Sequence, residues 1–82
     1  MDEGDLRRTL QCVILDALEE NGPMTTKQLY RYAQKKRPEL CDDDVYDDFG
    51  PLWRHLLRRA QQDLKHTWER IELVDRRWQL IE

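Results

Sequence analysis

Between Arg54 and Lys65 the chain reads RHLLRRAQQDLK. Guanidinium, imidazole, carboxamide and ammonium groups are interleaved there with leucines. Arginine carries a planar fork of donors that matches the O6 and N7 atoms of guanine. Glutamine can bond adenine in the same two-point way, and lysine or arginine neutralises phosphates. On a helix Arg54, Arg58, Gln61 and Lys65 fall at i, i+4, i+7 and i+11, with His55, Arg59, Gln62 and His66 beside them. All are expected to turn away from an apolar stripe of leucines and tryptophan, and Asp63 is the only acid among them. These residue types at this spacing suit a polyanion such as double-stranded DNA.

Just upstream the sign reverses. CDDDVYDD places Asp42, Asp43, Asp44, Asp47 and Asp48 within seven residues. A calcium loop would need the D-x-[DN]-x-[DN]-G alternation and a closing glutamate at its twelfth position, and neither is present. A metal-dependent nuclease would need its carboxylates and a lysine on strand-like segments, whereas these lie in a connector. Local reasons suffice for them. Asp47 and Asp48 precede a helix N-terminus, where negative charge is favoured by about 0.3–1 kcal/mol each, and Asp42 is placed to cap a preceding turn. The patch also repels phosphate from one side and so orients an approach.

Other chemistries find little material. Cys12 and Cys41 stand far apart with no second thiol near either, which gives no zinc pattern. Cys12 is expected as a buried thiol on an apolar helix face. His55 and His66 are separated by about three helical turns, where a metal pair wants one. The chain contains no serine and neither cysteine has an obvious base partner, so no enzymatic activity and no cofactor are expected. No apolar run approaches the ~20 residues of a membrane helix, and nothing resembles a signal peptide. The expected location is cytoplasmic or nucleoid-associated, or nuclear in a eukaryote. The chain also ends directly out of a strand-like run, as a domain cut from or fused to something longer would.

The 82 residues allow one small domain, with a net charge of −3 and a sequence pI of about 5.4. Residues 1–48 carry seven Lys/Arg against twelve Asp/Glu, and residues 49–82 carry seven against five. The acidic total therefore conceals a basic second half, and distribution decides partners more than the sum does.

The elements that would position these groups follow from periodicity. Leu6, Leu10, Val13, Ile14, Ala17 and Leu18 predict a first helix over about 5–20, stopped by Asn21-Gly22-Pro23. Thr25 and Gln28 form a capping-box pattern ahead of a second helix over about 26–36, with Leu29, Tyr32 and Ala33 inward. An acidic connector, 37–50, is expected to bring Val45, Tyr46 and Phe49 onto the core through a turn of helix. A third helix follows over about 51–65, with Pro51 at its first position and Phe49, Leu52, Trp53, Leu56, Leu57, Ala60 and Leu64 in its stripe. The period then changes to two. Ile71 and Leu73, then Trp78 and Leu80, predict a hairpin over about 69–81 turning at Asp75-Arg76. Trp53, Trp68 and Trp78 are assigned to the core, Trp68 near its edge.

Three helices followed by a hairpin point to an α+β winged helix, a helix-turn-helix cluster with a C-terminal wing, with a plain α+β domain of different packing as the alternative. In such modules the N-terminal part of the recognition helix reaches the bases. Arg54, His55 and Arg58 become the expected base readers, with Arg59 and Gln62 next and Lys65 beyond them. Arg70, Arg76 and Arg77 would ride on the backbone or in a narrow minor groove. Thr26 and Lys27, at the start of the second helix, are placed to hold a phosphate.

The segments ILDALEENGPMTTKQL, LWRHLLRRAQQDL and IELVDRRWQLI resemble the winged-helix modules at the N-termini of Mrr-type restriction endonucleases and in related chromatin and restriction proteins, the HARE-HTH group. Trp53, Arg59, Ala60, Leu64, Arg77, Trp78 and Leu80 stand at the positions that carry the likeness, which covers nearly the whole chain. The resemblance implies DNA recognition in service of a linked or partner effector, often a nuclease, and so a place in restriction-modification or transcription regulation. The chain departs from the group in its Arg76-Arg77 turn, where Arg-Gly is usual, and in its net acidity. Some winged helices are protein-docking modules. A second reading therefore stays open, in which residues 42–48 meet a basic partner or the arginine face of the third helix meets an acidic one.

Overall fold

The structure is a computed structural model and describes residues 2–81; Glu82, at the end of the strand-like run, lies outside them. Helix α1 spans Glu3–Asn21. It begins on Asp2, whose side chain accepts from the Asp5 amide, and ends at Gly22, whose φ of 76° suits a residue without a Cβ. Helix α2 spans Thr26–Lys36, and both halves of its capping box form. The Gln28 amide donates to Thr25 Oγ1 at 3.2 Å and the Thr25 amide donates to Gln28 Oε1 at 2.8 Å. Helix α3 spans Leu52–Gln62 and runs on into a single π-helical turn, Asp63–Thr67. Pro51 is the residue before α3, one position earlier than expected, and makes no side-chain cap.

The connector differs most from expectation. After a 3-10 turn at Pro38–Leu40, it forms a short antiparallel hairpin, β1 (Tyr46–Asp47) with β2 (Gly50–Pro51). The chain reverses at Asp48-Phe49, and Gly50, the first residue of β2, has a φ of 109°. No helical turn brings Val45, Tyr46 and Phe49 inward. They are 46%, 66% and 72% exposed, and Phe49 leaves the α3 stripe because the hairpin carries it away from the helix axis. Asp42 caps the turn after it, accepting from the Asp44 amide at 2.9 Å. Asp47 likewise accepts from the Phe49 amide at 2.8 Å.

The second hairpin pairs β3 (Ile71–Val74) with β4 (Arg77–Leu80), Leu73 opposite Trp78. Asp75 and Arg76 both have positive φ, 52° and 66°, as a tight two-residue turn requires. Its core-ward alternation holds at Ile71 and Trp78, which are buried, and lapses at Leu73, which is exposed although opposite Trp78, because β4 is the strand bridged to Met24 and packed on α1. Met24 exchanges backbone hydrogen bonds with Trp78 in both directions, 2.9 and 2.7 Å, tying the α1–α2 turn to β4.

The core lies where α1 packs on α3, closed by α2 and β4. It comprises Leu10, Val13, Ile14, Ala17 and Leu18 from α1, Leu29 and Ala33 from α2, Trp53, Leu56, Leu57, Ala60 and Leu64 from the third helical segment, and Met24, Leu40, Ile71 and Trp78. Fully burying a side chain of this size contributes roughly 1.5–3 kcal/mol. Besides Val45, Tyr46 and Phe49, two further expected core residues are outside it. Trp68 is 60% exposed, and the Cys12 thiol lies on the solvent side of α1. The architecture is α+β, three helices with two short antiparallel hairpins.

Candidate functional site

The polar residues of α3 divide into three groups once their neighbours are in place. Arg58, Arg59 and Gln62 are exposed. Gln61 is not. It is 2% exposed, and its Nε2–H donates to Thr26 Oγ1 at 3.2 Å. The expectation of an outward Gln61 fails because a helix packed on two sides buries more than a narrow stripe, and Gln61 falls on the side covered by α2.

Arg54 and His55, the expected first readers, are both engaged locally. The Arg54 guanidinium lies 5.4 Å from the Tyr30 ring centroid and 5.3 Å from that of Trp53, and those two rings meet edge to face at 5.6 Å. Its Nε is buried without a hydrogen-bond partner among the described residues. The His55 ring stacks on Phe49, centroids 5.2 Å apart and planes 10° from parallel, with Nε2 3.9 Å from Asp47 Oδ2. Phe49 and Asp47 are thus the neighbours that sequence spacing did not assign to His55.

The one acid on α3's run, Asp63, is neutralised from α1. Arg7 donates to both of its carboxylate oxygens and Gln11 adds a bond of 3.0 Å to Oδ2. The Arg7 hydrogen bonds hold the Asp63 carboxyl below the usual carboxylate range and raise the Arg7 guanidinium in turn. Neither Arg7 nor Gln11 was a candidate from sequence, since only the α1–α3 packing brings them to a residue on another helix.

Lys65 lies in the π-helical turn, half-buried, and lags the direction that a continuous α-helix would give it. Arg70, Arg76 and Arg77 are exposed along the second hairpin. Thr26 faces inward. Its hydroxyl accepts from Gln61 and from the Trp78 indole, both at 3.2 Å, which leaves Lys27, exposed at the start of α2, as the outward member of that pair.

A charge pattern results. Four basic residues of α1, the end of α2 and its C-cap are in ion pairs: Arg7 with Asp63, Arg8 with Asp5, Lys36 with Glu20 and Arg37 with Glu39. Arg58, Arg59, Lys65, Arg70, Arg76 and Arg77 make no ion pair with any described residue. Among the described residues, no group of three His, Cys, Asp or Glu is placed to hold a metal ion, and no helix is long and apolar enough to cross a membrane. Cys41 has its thiol pushed up to about 11 by burial and by Asp43 and Glu39, which keeps it protonated at neutral pH. No protein-family model, curated protein or solved structure matches the chain.

Proposed function

We propose that this chain is a non-catalytic winged-helix module that binds double-stranded DNA, with α3 in the major groove and the β3–β4 hairpin as a wing on the backbone. The observation that carries the reading is that the exposed cations of α3 and of the second hairpin make no ion pair with a described residue, while the one carboxylate in α3's run is held by Arg7. Arginines without protein partners are free to exchange water for phosphate or base edges, and the counterions released supply much of the affinity. Within α3 the base-reading role passes to Arg58 and Gln62, exposed at i and i+4, with Arg59 beside them. Arg54 and His55 support that face from its edges. Arg70, Arg76, Arg77, Lys65 and Lys27 take phosphates. The module would deliver a linked or partner effector to its DNA, as the likeness to Mrr-type and HARE-HTH modules implies.

The test is a titration of the isotopically labelled protein with duplex DNA at low salt. The expected outcome is movement of the amide signals of Arg58 and Gln62 and of the β3–β4 turn. Duplex that leaves those signals in place defeats the proposal.

A further inference from the structure

The β1–β2 hairpin places Val45, Tyr46 and Phe49, all exposed, within five residues of one another. Beside it lies a groove of about 380 Å³. It is lined by the apolar Leu6, Leu40, Val45, Leu52 and Trp53 together with the acids Glu39 and Asp42. The exposure does not come from a loose segment. The Trp53 indole N–H donates to Asp43 Oδ1 at 2.8 Å, the Leu52 amide donates to the Val45 carbonyl at 2.8 Å, and Asp42 and Asp47 each close a turn. The groove is therefore preformed, and an apolar ligand entering it meets little ordering cost.

Charge selects the occupant. From Glu39 to Gly50 the chain has six carboxylates and no basic side chain. Glu39 is paired with Arg37, while Asp42, Asp43, Asp44 and Asp48 make no ion pair with a described residue. Nucleic acid and anionic lipid are repelled from such a segment. A second copy of this chain, whose Arg70, Arg76 and Arg77 lie close in sequence to exposed Trp68, Leu73 and Val74, is the competing occupant, and concentration-dependent shifts at the groove in the peptide-free protein would overturn the inference in its favour. We infer that the groove docks an extended basic segment of a partner protein: one apolar side chain seats against Leu6, Leu52 and Val45 while flanking lysines or arginines meet Asp42 and Asp44. This inference does not rest on DNA binding, and its contact residues are not those of the Arg58–Gln62 face.

The test uses the whole labelled chain and a capped peptide with one leucine flanked on both sides by lysines. The expected result is movement of the Leu6 and Val45 amides and of the Trp53 indole N–H, with the Arg58 and Gln62 amides still. Replacing the peptide leucine with alanine should weaken binding about fivefold or more, because less apolar surface is then seated. Val45→Ala should do the same, and Asp42→Asn with Asp44→Asn should weaken it about two- to fivefold. The substituted side chains at 44 and 45 are exposed, so an unchanged dispersion of the remaining signals verifies the fold. Equal binding by the alanine peptide, shifts confined to other surfaces, or no shift at millimolar peptide overturns the inference. Duplex DNA added to the same sample reads the other face independently, so either proposal can fail without the other.

Discussion

Arg7, near the start of α1, holds both carboxylate oxygens of Asp63, 56 residues further along the chain. The pair clamps the end of α3 to α1 and removes the one carboxylate that would oppose a polyanion on that helix. Asp63 is largely covered while Arg7 is about a third exposed, so solvent screening trims the gain. Asp63→Asn should cost about 1 kcal/mol at pH 7. The sign with pH follows from the lowered Asp63 carboxyl. Its stabilisation is fully present above the ordinary carboxylate range, near pH ~4, and is lost as pH falls through the lower folded value. Chemical denaturation between pH 7 and pH 2 should show a shallower acid decline in Asp63→Asn than in the parent.

Arg58→Ala and Gln62→Ala should each weaken duplex binding by about 1–3 kcal/mol without moving the melting temperature, since both side chains are exposed. Arg54→Ala should show the opposite emphasis. It removes the guanidinium from over Tyr30 and Trp53 and should lower stability by about 1 kcal/mol. Fluorescence anisotropy and thermal melts on the three variants separate the roles.

Arg76 sits at φ 66° at the tip of the second hairpin, a conformation that costs a residue with a Cβ about 1–2 kcal/mol. Arg76→Gly should therefore raise the unfolding free energy by about 1 kcal/mol. In the double variant Arg76→Ala/Arg77→Ala, the log–log salt slope of DNA binding should become shallower by about 0.9 for each phosphate no longer neutralised. A glycine at 76 that lowers stability would show that the Arg76 side chain has a structural role of its own.

Thr26 Oγ1 is the shared acceptor of the Gln61 carboxamide and the Trp78 indole. Thr26→Val keeps the shape and leaves both donors unpaired, each on a buried residue. The expected loss is about 1–3 kcal/mol. Thr26→Ser, which keeps the hydroxyl, should recover most of it.

The helices were legible in the sequence because each boundary had a chemical marker: Gly22 after α1, Thr25 with Gln28 before α2, and Pro51 before α3. The turn at Asp75-Arg76 was legible from the two-residue gap between alternating runs, without the glycine that usually marks one. The connector misled because Val45, Tyr46 and Phe49 are spaced as an inward helical face would be, while Gly50 and the aspartate-capped turns impose a hairpin. At the candidate site, the basic residues of α3 could be named, but not sorted. Gln61 goes inward through Thr26, Arg54 lies against Tyr30, and Asp63 is silenced by Arg7. Each of those partners sits on another helix, and a wheel drawn for one helix contains none of them.

The Met24–Trp78 bridge has a consequence for the order in which the molecule is made. Synthesis delivers α1 and the start of α2 well before the residue that ties them down, since Thr26 and Trp78 are 52 positions apart, and α3 shortly before it. A growing chain that lacks β4 also lacks the Trp78 indole in its core and the backbone pairing that fixes the α1–α2 turn. Closing so distant a pairing is slow compared with forming a helix. Nascent chains arrested before Arg77 should stay open to protease, and those released with β4 complete should resist it. The three helices are sealed by a strand made after all of them, so the ribosome must deliver β4 before any part of the fold is secure.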